Sequence, residues 1–218
     1  MGLFDIFKNP PTPTDPTTEE FTAYGWDAIT AELERVYVGQ TNPKHYGALI
    51  KWRLGGNDPL DGISIYDGGD YWHFVTYGMT ELYEKESENK EYSGYGYEMT
   101  FKLKKGCYTD EESEIKCICG ILQAIARITF TKDEVFGPYE FLYTGQTTGI
   151  DAEQKSKLTG FICVPDSSLN TIDTPHGKVA FLEFIGMTDA ELKSLNTVQS
   201  VKDIYEAMGS DVTDYARE

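Results

Sequence analysis

Basic residues are scarce in this sequence. Nineteen Lys and Arg stand against thirty-six Asp and Glu, leaving a formal charge of −17 at pH 7. A chain so charged repels a phosphate backbone, so nucleic acid is not an expected ligand. Long hydrophobic runs are missing too, with no stretch of eighteen apolar residues, and no membrane-spanning helix is expected. The four cysteines (Cys107, Cys117, Cys119, Cys163) include no C-x-x-C pair, and the three histidines (His45, His73, His176) are scattered. That spacing does not make a zinc site, so neither a metal nor another cofactor is expected. Reduced, mostly buried thiols fit a cytosolic protein. The start, Met1-Gly2-Leu3-Phe4-Asp5-Ile6-Phe7, is too short and too acidic for a signal peptide. Ile6 also stands where a myristoylation motif wants Ser or Thr.

Catalytic motifs are equally thin. Gly94-Tyr95-Gly96 lacks the third glycine of a phosphate cradle, and no Walker, H-E-x-x-H or EF-hand pattern occurs. Asp58 and Asp61 could pass for a pair of catalytic carboxylates. An acid beside Pro or Gly, however, usually shapes a turn by bonding nearby backbone. His73 is the best single general-base candidate, and a hydrolase or transferase reading would pair it with Asp61 or Glu81. A histidine within an apolar strand is more often a hydrogen-bonded structural residue, and no nucleophile motif accompanies this one. The expectation is a protein without enzymatic activity.

What the sequence does have is aromatic rings, fifteen of them tyrosine. The stretch Tyr71-Trp72-His73-Phe74-Val75-Thr76-Tyr77 suits a strand, ended by Gly78. Period two puts Tyr71, His73, Val75 and Tyr77 on one face and Trp72, Phe74 and Thr76 on the other. Both faces are largely apolar, which predicts a central strand covered on both sides. Asp67-Gly68-Gly69-Asp70 joins it as a hairpin to a strand holding Ile63 and Ile65.

Along the chain, residues 9–18 carry four prolines, so residues 1–20 read as an extended tether before one domain spanning 21–218. Trp26, Ile29, Leu33 and Val36 recur at helical spacing, with Gly39 as the stop. Asn42–Gly47 reads as a loop and Ala48–Leu54 as a first strand. Residues 84–91 are charged without periodicity and predict an exposed loop. Tyr95, Tyr97, Met99, Phe101 and Leu103 alternate with polar residues as a strand. Asp110-Glu111-Glu112 opens a long helix through Ile115, Cys119, Leu122, Ala126 and Phe130. Short strands follow at 139–143 and 158–164, then a buried strand over 178–185. Thr188-Asp189-Ala190-Glu191 has the form of a capping box, and Val201, Ile204, Tyr205 and Met208 support a last helix ended by Gly209. The order predicts an α+β fold, a mainly antiparallel, mixed sheet packed by helices on its faces.

Several of these blocks resemble the suppressor-of-fused family. They are Asp58-Pro59-Leu60-Asp61 with Ile65-Tyr66; Trp72-His73 and Tyr77-Gly78 with Glu81-Leu82-Tyr83; Gly94 to Leu103; and Thr174-Pro175-His176-Gly177 with Phe181-Leu182 and Gly186. The resemblance covers that family's N-terminal domain only. It implies a single domain of that fold and a partner-binding role. Animal members sequester zinc-finger transcription factors by clamping an extended peptide between two domains. The second domain is not expected within 218 residues. Compact single-domain relatives are similar to bacterial proteins for which toxin immunity has been proposed, so neutralising a secreted toxin is the leading expectation. An adaptor that captures an extended peptide by strand addition is an alternative.

The expected binding set is Tyr66, Tyr71, Tyr77 and Tyr83, taken as exposed interface rings, with Asp58, Asp61 and Glu81 supplying charge and His73 beside them. Such a surface would suit a basic partner protein. Trp26, Trp52 and Trp72 are expected to close the sheet against its helices.

Overall fold

The computed structural model describes residues 22–217. The tether expected over residues 1–20 lies outside the described residues. Helix α1 (Tyr24–Val36) comes first, followed by strands β1 (Lys44–Gly47), β2 (Gly62–Asp67), β3 (Tyr71–Tyr77) and β4 (Tyr92–Lys104). The long helix α2 (Glu111–Lys132) separates these from β5 (Phe141–Tyr143), β6 (Leu158–Pro165), β7 (Ile172–Thr174) and β8 (Gly177–Thr188). Two short helices, α3 (Asp189–Ser194) and α4 (Val198–Met208), close the chain.

One eight-stranded sheet runs β1-β2-β3-β4-β8-β6-β5, with β7 also paired to β8. Among the described strands β4 and β8 alone pair in parallel, so the sheet is mixed and mainly antiparallel. The aromatic strand β3 lies between β2 and β4, covered on both faces as its composition implies. Phe74 faces α2 through a core that includes Ile63, Ile65, Phe101, Ile118, Leu122 and Phe184. Val75 and Tyr77 face α1 through Ile29, Leu33 and Tyr66. On β6 and β8, Ile162, Val164, Ile185 and Met187 pack beneath α3 and α4 against Leu192 and Val201.

The helix ends follow from local chemistry. Asp110 caps α2, its side chain accepting from the backbone of Glu112 and Ser113, and a carboxylate there also suits the positive end of the helix dipole. Thr188 and Glu191 form the expected reciprocal capping box at α3, and Gly209 ends α4 at φ +63°.

The first strand is not where the alternation places it. Residues 44–47 form β1, in register with β2 from Lys44↔Ile65 to Gly47↔Gly62. Residues 48–54 are not a strand. The Lys51 carbonyl accepts from both Leu54 N and Gly56 N, curling Trp52–Leu54 into a single 3₁₀ turn. Gly55 at φ +87° allows that closure, because a left-handed residue reverses the chain before any ladder can form. The three-residue β7 also departs from the sequence pattern, whereas α3 and α4 are the two separate helices it predicts.

Candidate protein-binding groove

Two loops and the end of α2 enclose a groove of about 590 Å³. One wall is the 3₁₀ turn with Lys51, Trp52 and Arg53; the other is the segment from Gly78 to Ser87, with Tyr95 and Phe130 between them. Trp52 packs edge-on against Phe130 with centroids 5.9 Å apart, and Tyr95 meets the same ring at 5.1 Å. These rings make an apolar floor.

Three of the expected binding residues, Asp61, Glu81 and Tyr83, come together here. Lys51 Nζ donates to Asp61 Oδ2 at 3.0 Å and to the Tyr83 hydroxyl at 2.9 Å, while lying 4.2 Å from the centroid of the Tyr83 ring. Burial would lower the Lys51 ammonium, but Tyr83 and Asp61 outweigh it and hold its pKa above the ordinary value. Glu81 is committed to its own loop, accepting from Lys85 Nζ at 2.7 Å and from the N–H groups of Glu86, Ser87 and Gly94. Burial alone would raise that carboxyl. Lys85 and the backbone donors win and lower it to about 2. Gly94 sits at φ +52°, where a Cβ would meet the Met79 carbonyl at 2.8 Å, so the loop closes only around glycine. The acids left facing solvent are Glu84 and Glu86.

The rest of the expected set lies elsewhere. Asp58 turns away to Arg127, 3.2 Å distant, on the side facing α2. It therefore forms no carboxylate pair with Asp61. Tyr66 and Tyr77, expected as exposed anchors, are buried. Tyr66 stacks on Tyr37 at 4.9 Å and Tyr77 on Trp26 at 4.2 Å. The reason lies in the pleat: both point to the α1 face, where a helix covers them. Tyr71 is half-buried, close to the His73 ring. Trp26, Trp52 and Trp72 are partly buried and packed against elements around the sheet.

His73 is fully buried and belongs to a different constellation. Its Nε2 lies 2.9 Å from Asp166 Oδ2 and its Nδ1 2.6 Å from the Tyr37 hydroxyl. It meets neither Asp61 nor Glu81, so the general-base arrangement expected with them is not formed. Lys102 Nζ completes the cluster, 3.3 Å from Asp166, 3.0 Å from Glu183 and 2.5 Å from Asp211. Burial lowers the His73 pKa, against the pull of Asp166, and keeps the ring neutral. Burial also raises Glu183 well above the carboxylate range, helped by the neighbouring Asp166. Asp166 itself is held low, because His73, Glu183 and Lys102 outweigh its burial. His73, Asp166 and Glu183 place donor atoms within 4.8 Å of one another, as a metal ion would require. Lys102 already supplies a cation there. A further buried acid, Glu98, accepts from Thr76 and Thr80 hydroxyls and from the N–H groups of Gly78, Met79 and Thr80. Burial nevertheless pushes it up to about 7.

Glu98, Thr100 and Lys102 occupy alternate positions on β4, opposite the apolar stripe of Met99, Phe101 and Leu103. Reading that alternation gives one apolar face and one polar one. The polar face is covered, and the signal for this is the match between three polar residues on β4 and Glu183 on β8 beside it.

Among known proteins, the family described as Suppressor of fused protein (SUFU) matches residues 56–218. The Suppressor of fused homologs of Homo sapiens and Mus musculus are each 29% identical over 186 residues, covering 78% of this chain. The chain spans 37% of the length of these curated relatives. Among solved structures, a chain of the Sufu–Fu complex superposes with a TM-score of 0.76 at 29% identity, over 90% of this chain and 91% of that one. Drosophila Suppressor of Fused superposes at 0.75 and 29%, over 90% of this chain and 51% of its own.

Proposed function

The chain belongs to the suppressor-of-fused family, and from that premise we propose that it is a protein-binding domain that sequesters a basic partner through the groove beside Tyr83. The observation that carries this reading is the groove itself. It has an aromatic floor, a tyrosine pinned in place by Lys51, and two exposed acids, Glu84 and Glu86, on its wall, the second 3.9 Å from Arg53. Rings held rigid at the centre of a contact give affinity, and charge at its rim sets the approach. A segment that presents an apolar anchor next to Lys or Arg fits this chemistry. The Sufu–Fu complex, a protein–protein assembly, supports a protein partner as the class. In its finer form the reading is neutralisation of a basic toxin in the cytosol, where the four unpaired cysteines would stay reduced. The enzyme reading loses its support, since His73 is sealed from solvent and bonded to Tyr37 and Asp166.

The test is to recover the bound protein from the native host and measure its affinity for variants of this chain. Tyr83→Ala and Trp52→Ala are expected to weaken binding at least about tenfold, a loss above about 1.4 kcal/mol. Normal binding by both variants would remove the groove from the interface.

A further inference from the structure

The start of α1 is fastened to the groove. Gly25 N and Trp26 N both donate to the Leu82 carbonyl, at 3.0 and 3.4 Å, and Leu82 lines the groove wall. The approach is so close that a Cβ on Gly25 would run into the Glu81 carbonyl. The chain preceding Thr22 therefore joins the fold only a few residues from the groove wall. Its composition is unlike the rest of the protein. Leu3, Phe4, Ile6 and Phe7 stand within five residues and Lys8 follows directly. Among residues 1–14 Asp5 is the one acid, in a chain with a formal charge of −17. Neither a signal peptide nor a myristoylation motif accounts for that apolar cluster. Residues 9–21 supply thirteen links between Lys8 and the first described residue, a span of up to about 45 Å.

We propose that this chain's own segment Leu3–Lys8 docks in the groove. Phe4, Ile6 and Phe7 bring apolar side chains to the floor made by Trp52, Tyr95 and Phe130. Lys8 comes to the exposed acids Glu84 and Glu86 on one wall, and Asp5 to the exposed Arg53 on the other. An apolar anchor beside a cation is the chemistry this groove selects, and within this chain the first eight residues carry it. Because the segment is tethered, it meets the groove at a local concentration in the millimolar range. Even a weak contact then fills the groove about half of the time or more. The consequence for binding rests on the reading that the partner uses this groove. The partner must then displace the segment, and its apparent affinity is reduced by the fraction of chains whose groove is open.

Photo-cross-linking tests this on the full chain, with Phe7 replaced by p-benzoylphenylalanine and the protein irradiated when dilute. Cross-links are expected within one chain, to residues 51–54 or 78–87. Amide exchange gives an independent readout. In the full chain carrying Phe4→Ser and Phe7→Ser, the amides of those two wall segments should exchange at least about twofold faster than in wild type, with the β6 and β8 amides unchanged. A partner recovered from the host should bind the same double variant at least about twofold more tightly. Groove cross-links with an unchanged partner affinity would uphold the docking and remove the groove from the partner's interface, so the two readings fail separately. Cross-links to another face or between chains overturn the proposal, and so do wall amides that ignore the double variant. Binding of the full chain to vesicles of phosphatidylcholine and phosphatidylserine, lost in the double variant while the wall amides stay the same, would make the segment a membrane anchor and also overturns it.

Discussion

His73 on β3 donates its Nε2 proton to Asp166 across 2.9 Å, joining residues ninety-three positions apart in sequence. The Tyr37 hydroxyl, just past α1, occupies Nδ1 at 2.6 Å. One imidazole thus ties the end of α1, the central strand and the end of β6 together, with both ring nitrogens satisfied in the neutral form.

Replacing it should cost stability. His73→Ala leaves a buried tyrosine hydroxyl and one lone pair of a buried carboxylate unpaired, and opens a cavity. A loss of about 2–4 kcal/mol is expected in denaturant unfolding. The pH response has a definite sign. The folded pKa lies below the ordinary 6.5, so the unfolded chain binds the extra proton as pH falls through that value. The contribution is therefore complete above pH 6.5 and shrinks below it. Wild-type stability minus that of His73→Ala should rise from pH 5 to pH 7; a difference that falls over this range would show a protonated native ring, and a flat one an unshifted pKa.

Glu98 should behave in the opposite way. Its folded pKa of about 7 stands above the ordinary 4.5, so the native state holds the proton longer than the unfolded chain. Its contribution is complete below pH 4.5 and falls as pH rises toward 7. A shift of that size corresponds to about 3 kcal/mol over the interval. Glu98→Gln does not titrate, so the difference between wild type and variant should shrink by that amount across the window. The variant is also expected to be less stable at pH 5, because its amide N–H₂ faces the N–H groups of the 78–80 turn.

Trp72 is held at the rim of the sheet rather than in the core. Its Nε1 donates to Glu111 at 3.0 Å, and the ammonium groups of Lys44 and Lys105 sit 4.5 and 4.0 Å from its ring. Trp72→Ala should cost about 2 kcal/mol, below the 3–5 kcal/mol or so of a fully buried aromatic. Trp72→Phe should recover most of the packing but not the bond to Glu111. Thermal melts of the two variants separate these contributions.

The layered frame was readable from residue types, because period two on β3 and helical spacing on α1 and α2 each leave a mark in sequence. The capping box at Thr188 was readable for the same reason, being a local pattern. The position of β1 was not, since the 48–54 alternation loses to backbone closure by Gly55 and Gly56. Of the binding set, Asp61, Glu81 and Tyr83 do share a groove, whereas Tyr66 and Tyr77 were misjudged as exposed. Tyrosine composition signals amphipathic rings without saying which face α1 will cover. The Lys102 cluster depends on Asp166, Glu183 and Asp211, whose convergence is set by tertiary contacts and has no local signature.

The groove makes a kinetic prediction that separates its two kinds of residue. Glu84 and Glu86 are exposed and stand at the entrance, so they should act on approach. With a basic partner, association should slow steeply between about 50 and 500 mM salt, as the Debye length falls from about 14 to about 4 Å. Glu84→Gln with Glu86→Gln should lower the association rate at low salt and flatten its salt dependence, with little change in release. Tyr83 and Trp52 act after contact, through buried ring area. Tyr83→Ala should therefore speed dissociation about tenfold or more at unchanged association rate. Asp61→Asn provides the control, because that carboxylate is spent on Lys51. It should loosen the Lys51–Tyr83 arrangement and affect release more than approach. Stopped-flow measurements across the salt series would decide the matter. A salt-independent association rate together with normal release from Tyr83→Ala would place the interface on another face of the domain.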